Sequence, residues 1–237
     1  MAVPTIYYKL ITYWESLPLA EQKEISNSLQ KFRLMVSGSA ALPISVLEKW
    51  RTISGQTLLE RYGMTEMGMA ISNPYNGERR PGFIGQSLPG ITVRLVDESE
   101  NMVEQGISGE IQGWFRTGDI ALLENGSYRI LGRNSVDIIK SGGYKISALE
   151  IEEVLRTHPS IKDCGVVGIP DDEWGEIIGA SLILEDAAPN LDELTNWLKE
   201  RLPGYKIPRK FIFQEDLPRN VMGKVTKREL KRLLRSF

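Results

Sequence analysis

The sequence is poor in the residues that most metal sites and nucleophilic mechanisms depend on. It holds one cysteine, Cys164, and one histidine, His158, among 237 residues. A disulfide framework within the chain is therefore excluded, and nothing in it calls for an oxidising compartment. A zinc site of Cys and His is excluded too, because it needs three or four such ligands. A Ser-His-Asp arrangement could use only His158, and Leu155-Arg156-Thr157-His158-Pro159 reads as a helix end. Cys164 lies in the apolar run Cys164-Gly165-Val166-Val167-Gly168-Ile169 and reads as a small buried hydrophobe.

A surplus of charge and long apolar runs are lacking as well. The net charge of −2 exerts no global pull on nucleic acid or an anionic membrane, so no nucleic-acid partner is expected. The basic residues near the C-terminus read as a solvated helix face. No apolar stretch approaches the length of a membrane span. Met1-Ala2-Val3-Pro4-Thr5-Ile6-Tyr7-Tyr8 lacks the basic and apolar regions of a signal peptide and the pattern of a transit peptide. A cytoplasmic location is expected, with mitochondrion or plastid as alternatives if a targeting segment lies upstream.

What is present is an ordinary globular balance, 41% hydrophobic and 25% charged, with length for one or two domains. Residues 1–60 mix helical and strand signals. Leu42-Pro43 before Ile44, Val46, Leu47 and Trp50 predicts a helix with proline in its first turn. Ile91, Val93 and Leu95 alternate as in a half-buried strand. Asn125-Gly126, between Ala121-Leu122-Leu123-Glu124 and Tyr128-Arg129-Ile130-Leu131, is a strong hairpin signal. After Gly132-Arg133 a second hairpin is expected, Val136 to Lys140 and Tyr144 to Ile146 around Ser141-Gly142-Gly143. Ser147 with Glu150 forms a capping box for a helix through Arg156. Strands near 163–169 and 177–184 follow. Asn190 with Glu193 caps a helix whose apolar face is Leu191, Leu194, Trp197, Leu198 and Leu202. A strand at 209–214 precedes a last helix opened by Thr226 and Glu229, with Leu230, Leu233, Leu234 and Phe237 on one side. From about Arg133 onward this is a small α+β unit of about 100 residues, so a domain boundary is expected there.

Four glycine-bearing segments read as loops able to carry chemistry: Ser37-Gly38-Ser39-Ala40, Tyr62-Gly63-Met64-Thr65-Glu66, Thr117-Gly118-Asp119 and Ser141-Gly142-Gly143-Tyr144-Lys145. None matches a Walker loop or a dinucleotide fingerprint. Tyr62 could stack on a base, Thr65 could bond a phosphate, and Glu66 could hold a Mg²⁺ that bridges phosphates. Asp119 could accept from ribose hydroxyls. Lys224, on a loop before a helix, could stabilise charge developing on an anion, or could simply be a solvated lysine.

The same segments carry a resemblance. Arg61-Tyr62-Gly63-Met64-Thr65-Glu66, Thr117-Gly118-Asp119, Gly132-Arg133 with Asp137-Ile138-Ile139-Lys140-Ser141-Gly142-Gly143-Tyr144, and Pro218-Arg219-Asn220-Val221-Met222-Gly223-Lys224 stand in the order of the later core motifs of adenylate-forming enzymes. The chain resembles the superfamily of acyl-CoA synthetases, carrier-protein adenylation domains and luciferases throughout its length. The resemblance implies a mixed fold class, α/β and α+β: residues 1–132 as the C-terminal part of the large AMP-binding domain, and 133–237 as its small α+β C-terminal lid. It implies ATP, Mg²⁺ and CoA as ligands, an acyl-adenylate intermediate, and transfer of the acyl group to a thiol. Gly38, Ser39 and Ala40 would border the adenine and Tyr62 would stack on it. Thr65 would touch phosphate and Glu66 would ligate Mg²⁺. Asp119 and Arg133 would hold the ribose, Lys224 would be the adenylation lysine, and Gly142 and Gly143 would line the pantetheine tunnel. The hinge would lie just after Arg133, near Ser135.

The residue before the motif tyrosine is commonly small in the superfamily; here it is Arg61. With Met69 and the stretch from Ser72 to Arg79, this resembles malonyl-CoA synthetases, so Arg61 with Ser39 would bind the distal carboxylate of malonate or methylmalonate. An ion pair of Arg61 with Glu60 or Glu66 is the alternative. The superfamily's phosphate loop has no counterpart in these residues. Gly109-Glu110-Ile111-Gln112 runs directly into Gly113-Trp114-Phe115, an apparent internal deletion near 112–113 that is expected to remove sheet beside the ribose site and to displace Asp119. The chain thus reads as a truncated or alternatively spliced product, with impaired catalysis and possible pairing with a full-length ligase. A non-catalytic nucleotide- or CoA-binding protein, or an adenylating enzyme for another acid or a carrier protein, are the other readings.

Overall fold

The structure is a computed structural model and describes all residues except 114, 186–188, 221–222 and 237. The chain divides into two compact units, Met1–Ile130 and Leu131–Phe237.

The first unit opens with helices α1 (Pro4–Glu15) and α2 (Leu19–Leu29), then strand β1 (Val36–Ser37) and helix α3 (Ile44–Ser54). Pro43 stands at the N-cap of α3 rather than in its first turn, where its lack of an N–H is equally harmless. Helix α3 ends at Gly55 in the left-handed conformation, and its Val46, Leu47, Trp50 and Ile53 are buried. They pack with Tyr7 and Ile11 of α1 and with Met35, Leu42 and Leu58 in one apolar cluster. The ring of Tyr7 meets Trp50 edge-on at 4.9 Å, and its hydroxyl donates to the Val36 carbonyl at 3.0 Å.

Strands β2 (Leu59–Met64), β3 (Gly68–Ser72) and β4 (Gln86–Ser87) complete a sheet in the order β1-β2-β3-β4, parallel only between β1 and β2. A second sheet, β5-β6-β7-β8, comprises Arg94–Val96, Gly109–Gln112, Arg116–Glu124 and Ser127–Arg133. The two share a core of Ala70, Ile71, Ile84, Leu95, Ile111, Ala121 and Tyr128. The Asn125-Gly126 turn forms as expected, both residues at positive φ (50° and 76°), the geometry a two-residue hairpin needs. The strand expected from Ile91 begins only at Arg94, because Pro89-Gly90 turns the chain and leaves Ile91 exposed.

In the second unit, β9 (Ile138–Ser141) and β10 (Tyr144–Ser147) form the other hairpin around Gly142 and Gly143, at φ 54° and 82°. Val136 and Asp137 belong to the preceding turn, not to β9. Helix α4 (Ala148–Leu155) starts at Ser147, whose hydroxyl accepts from the Glu150 N–H at 3.2 Å. The reciprocal half of the capping box is absent: the Glu150 carboxylate instead takes Lys206 at 2.7 Å. Strands β11 (Ile161–Asp171), β12 (Gly175–Leu184) and β13 (Lys210–Phe213) complete a five-stranded sheet. Helix α5 (Leu191–Lys199) is capped by Asn190 through the Asp192 N–H at 2.8 Å, and Leu191 faces solvent while Leu194 and Leu198 are buried. Helix α6 (Lys227–Ser236) buries Leu230 and Leu234; Phe237 lies outside the described residues.

Both faces of this sheet are covered. Cys164 and Val166 of β11 point into a cluster with Ile151 and Leu155 of α4 and Leu194 and Leu198 of α5. Val167 and Ile169 of the same strand point oppositely, to Leu230 and Leu234 of α6. That alternation explains the continuous apolar reading of 164–169: a strand covered on both sides needs no polar face. Each such Leu or Ile contributes about 1.5–3 kcal/mol of burial. Cys164 is fully buried, and that burial pushes its thiol up to about 12, which suits the role of a small hydrophobe. His158 is likewise structural: it stacks edge-on against Trp197 at 4.8 Å and its Nδ1 accepts from the Ser160 N–H.

Candidate functional site

Two of the four expected loops prove to be strand. Tyr62, Gly63 and Met64 lie on β2, and only residues 65–67 form the turn into β3. Gly63 is there for space: a Cβ would lie 2.2 Å from the Gly68 carbonyl oxygen. Thr65 and Glu66 are exposed at the tip. Thr117, Gly118 and Asp119 lie on β7, inside an irregular stretch of the ladder. The pairing there runs Glu110 with Ile120 and Gln112 with Arg116, so β7 spends two more residues than β6. Such a bulge lifts residues out of the ladder and re-aims their side chains.

The bulge is held by identifiable bonds. The Thr117 hydroxyl donates to the Ile111 carbonyl at 2.8 Å and accepts from the Asp119 N–H at 3.2 Å. Glu110, buried on β6, accepts from the Gly118 N–H at 3.0 Å and from Arg116 at 2.5 Å. The Arg116 bond holds the Glu110 carboxyl below the usual range, against the opposing effect of burial. Gly118 has φ 77°, a conformation that disfavours any residue with a Cβ. The product is a buried Asp119 whose carboxylate accepts from the Tyr62 hydroxyl at 2.8 Å. Asp119 reaches the Tyr62 hydroxyl across a short β6–β7 connection. The strands pair directly, and the Gly113 N–H donates to the Phe115 carbonyl at 3.1 Å across the turn; Trp114 lies outside the described residues.

Beside this pair runs the segment after β1. Gly38 is buried, Ser39 and Ala40 are exposed, and Ser39 sits at φ 68°. A non-glycine residue in that region stores of order 1–3 kcal/mol and persists only when its surroundings fix it. Arg61 covers this turn: a Cβ at Gly38 would lie 3.5 Å from Arg61 Cγ. Its guanidinium touches the thioethers of Met69 and Met1. Among the described residues no carboxylate pairs with Arg61, so the ion pair with Glu60 or Glu66 is not formed. The stretch from Ser72 to Arg79 serves the backbone. Arg79 donates to the carbonyls of Thr57, Pro74 and Tyr75, and Asn73, buried, donates to that of Phe83.

The remaining expected residues belong to the second unit. The Arg133 N–H donates to Asp137 at 3.0 Å, and the Asp137 N–H returns to the Arg133 carbonyl at 2.8 Å, which closes the turn before β9. Lys224 is exposed on a pinned loop: its N–H donates to the Asn220 side chain at 3.0 Å, and its carbonyl accepts from the Asn220 N–H at 2.9 Å. Val221 and Met222 of this motif lie outside the described residues. Gly142 and Gly143 turn beside a small groove that sequence reasoning missed. Trp174, Tyr144, Tyr205 and Arg209 line it; the two tyrosines stack at 4.4 Å, and Arg209 lies over Trp174 at 4.0 Å. The available signal was a set of exposed aromatics outside any core periodicity, on turns or, for Tyr144, at the first position of a strand.

The chain is similar to known proteins along both of its units. The family model described as AMP-binding enzyme matches residues 1–116, and the one described as AMP-binding enzyme C-terminal domain matches residues 150–224. A mitochondrial malonate–CoA ligase ACSF3 of Xenopus laevis is 45% identical, over 97% of this chain and 48% of that protein. A malonate–CoA ligase of Arabidopsis thaliana is 42% identical, over 98% and 44%. The ATP-bound structure of MatB from Rhodopseudomonas palustris superposes with a TM-score of 0.86 at 33% identity, covering 98% of this chain and 50% of that one. The chain spans about half the length of the curated relatives it matches. Matched along both its units by these models and relatives, the chain belongs to the AMP-binding enzyme family.

Proposed function

We propose that the protein is an ATP-dependent, AMP-forming acid–CoA ligase that activates malonate or methylmalonate. Residues 1–132 are read as the later part of the AMP-binding domain and 133–237 as the lid. The observation that carries the substrate class is the guanidinium of Arg61, over the Gly38–Ser39 turn and without a carboxylate partner among the described residues. A cation in that position lacks its counter-ion until an acid supplies a second carboxylate, and malonate has one to spare. In this reading Ser39 offers its hydroxyl to the same carboxylate.

In this reading Tyr62 stacks on adenine with Gly38, Ser39 and Ala40 at its border, while Asp119 and Arg133 hold the ribose hydroxyls. One malonate carboxylate attacks the α-phosphorus of ATP, the bond to pyrophosphate breaks, and malonyl-adenylate results. Thr65 bonds the phosphate and Lys224 balances the negative charge that builds there. The sulfur of CoA then attacks the acyl carbonyl and AMP leaves. Gly142 and Gly143, which present no side chain, flank the pantetheine, and the groove of Trp174, Tyr205 and Arg209 has the aromatic faces and cation to take its nucleotide end. Mg²⁺ supplies charge neutralisation on the phosphates. No group of three His, Cys, Asp or Glu side chains fit for a metal occurs among the described residues, whereas the single exposed carboxylate of Glu66 fits an ion held mainly by nucleotide phosphates and water. Among the described residues no helix is long and apolar enough to cross a membrane. The Xenopus laevis relative is named mitochondrial, in keeping with an organellar alternative to the cytoplasm.

Arg61→Ala tests the substrate assignment. Loss of a charge-assisted bond of about 1.5–3 kcal/mol should lower kcat/KM for malonate roughly 10–100-fold and leave acetate unchanged. An equal loss on both acids would refute the role.

A further inference from the structure

We infer that Glu110 is a positioning residue for the ribose carboxylate: its clamp on the β7 bulge is what brings Asp119 to Tyr62 in a chain with a short β6–β7 connection. The inference rests on the ribose role proposed for Asp119. Alignments to two curated relatives extend over 278 and 282 positions, although this chain has only 237 residues. Those relatives therefore carry residues without a counterpart here, in keeping with the deletion expected between Gln112 and Gly113. The chain nevertheless runs from β6 into β7 through three residues, 113–115.

A three-residue connection ordinarily takes up its irregularity at the turn itself, and the ladder beyond it runs regularly. The observed ladder departs from that within one pair of the turn, spending Thr117, Gly118 and Asp119 where β6 spends Ile111. The departure is held by one carboxylate with two ends. Oε2 of Glu110 takes Arg116, the last regular partner before the bulge, and Oε1 takes the Gly118 N–H at its crest. Glu110 itself is fixed in the ladder opposite Ile120, just beyond the bulge. It therefore ties entry, crest and exit together. Only 6% of its surface is exposed, so water cannot readily replace either bond. Arg116 also lies 3.9 Å from Glu100, an exposed contact that can contribute little. Buried and engaged at both oxygens, Glu110 acts through where Asp119 sits.

The test separates position from stability by ligand choice. The affinities of AMP and of 2′,3′-dideoxy-AMP are measured by calorimetry on the folded protein, for wild type, Glu110→Gln and Asp119→Asn, with thermal melts alongside. Wild type should prefer AMP about tenfold, the worth of a ribose hydroxyl pair held by a carboxylate. Glu110→Gln keeps the size of the side chain and an acceptor for Gly118 but loses the charge that holds Arg116. It should abolish the preference, as Asp119→Asn does, while dideoxy-AMP affinity stays within about twofold of wild type. Arg116→Lys, which keeps a cation, should retain at least about a third of the preference. Should Glu110→Gln fail to fold, Arg116→Gln carries the same test. Equal loss of both ligands, or an intact preference in Glu110→Gln where Asp119→Asn has lost it, would overturn the positioning role alone. A wild type without any preference would overturn the ribose assignment and this inference with it.

Discussion

Replacing Lys224 with alanine is expected to lower malonate-dependent ATP–pyrophosphate exchange by about 10²–10³-fold, the usual cost of removing a group aimed at developing transition-state charge. The loop is built to present this side chain. Asn220 brackets the Lys224 backbone on both its N–H and its carbonyl, Arg219 donates to the Gly223 carbonyl at 2.7 Å, and the Thr226 N–H closes onto Pro218 at 2.7 Å. The backbone is thus tied while the ammonium remains exposed, which leaves the flexible stem as the moving part. The loss should fall on kcat, with the KM for ATP changed by less than about threefold, since a single exposed lysine contributes little to ground-state binding. A raised KM with unchanged kcat would show instead that Lys224 binds nucleotide uniformly.

Three residues further on, Lys227 meets a different fate, and its replacement should have the largest effect on stability. Its side chain is only 10% exposed at the start of α6, where it pairs with Glu152, donates to the Val166 carbonyl at 2.7 Å and lies 3.9 Å from Asp137. Glu152, 4% exposed, also accepts from the Val166 N–H at 2.8 Å and from Arg156. Lys227→Met leaves a buried carboxylate with half its compensation gone, so unfolding free energy should drop by about 3–5 kcal/mol in denaturant melts. The double variant Lys227→Met, Glu152→Leu removes both charges and should regain most of that loss. If the double variant is as unstable as the single one, packing around Lys227 rather than charge compensation is responsible. The pH dependence has a definite sign. Burial by itself would raise the Glu152 carboxyl, but the charges of Lys227 and Arg156 outweigh it and the folded value lies below the ordinary one. The stabilisation is therefore fully present above the ordinary carboxylate range and is lost as pH falls through that lower value.

Local chemistry was legible in the sequence wherever one or two residues decide the geometry. Asn125-Gly126 and Gly142-Gly143 supply the positive φ that tight hairpins need, and Ser147 and Asn190 supply the caps of α4 and α5. Positions decided by tertiary packing were not. Helix α1 is apolar nearly all round, with Ile6, Leu10 and Tyr13 exposed opposite buried Tyr7 and Ile11, so no single periodicity marks its inner face. Thr117-Gly118-Asp119 reads as a loop because glycine usually means a turn; that it is a bulge depends on Glu110, seven residues upstream of Thr117 and on another strand. The motif residues of the candidate site were visible through family likeness, but the Glu110 clamp and the aromatic groove follow no motif. They exist only once strands from distant segments are set side by side.

The decisive experiment is ATP–pyrophosphate exchange by the purified protein with malonate, methylmalonate and acetate compared at equal concentration. An acid pocket built around Arg61 should give exchange with the first two at least about tenfold faster than with acetate, as one charge-assisted bond allows. Exchange that is as fast with acetate as with malonate would contradict the assignment of malonate activation.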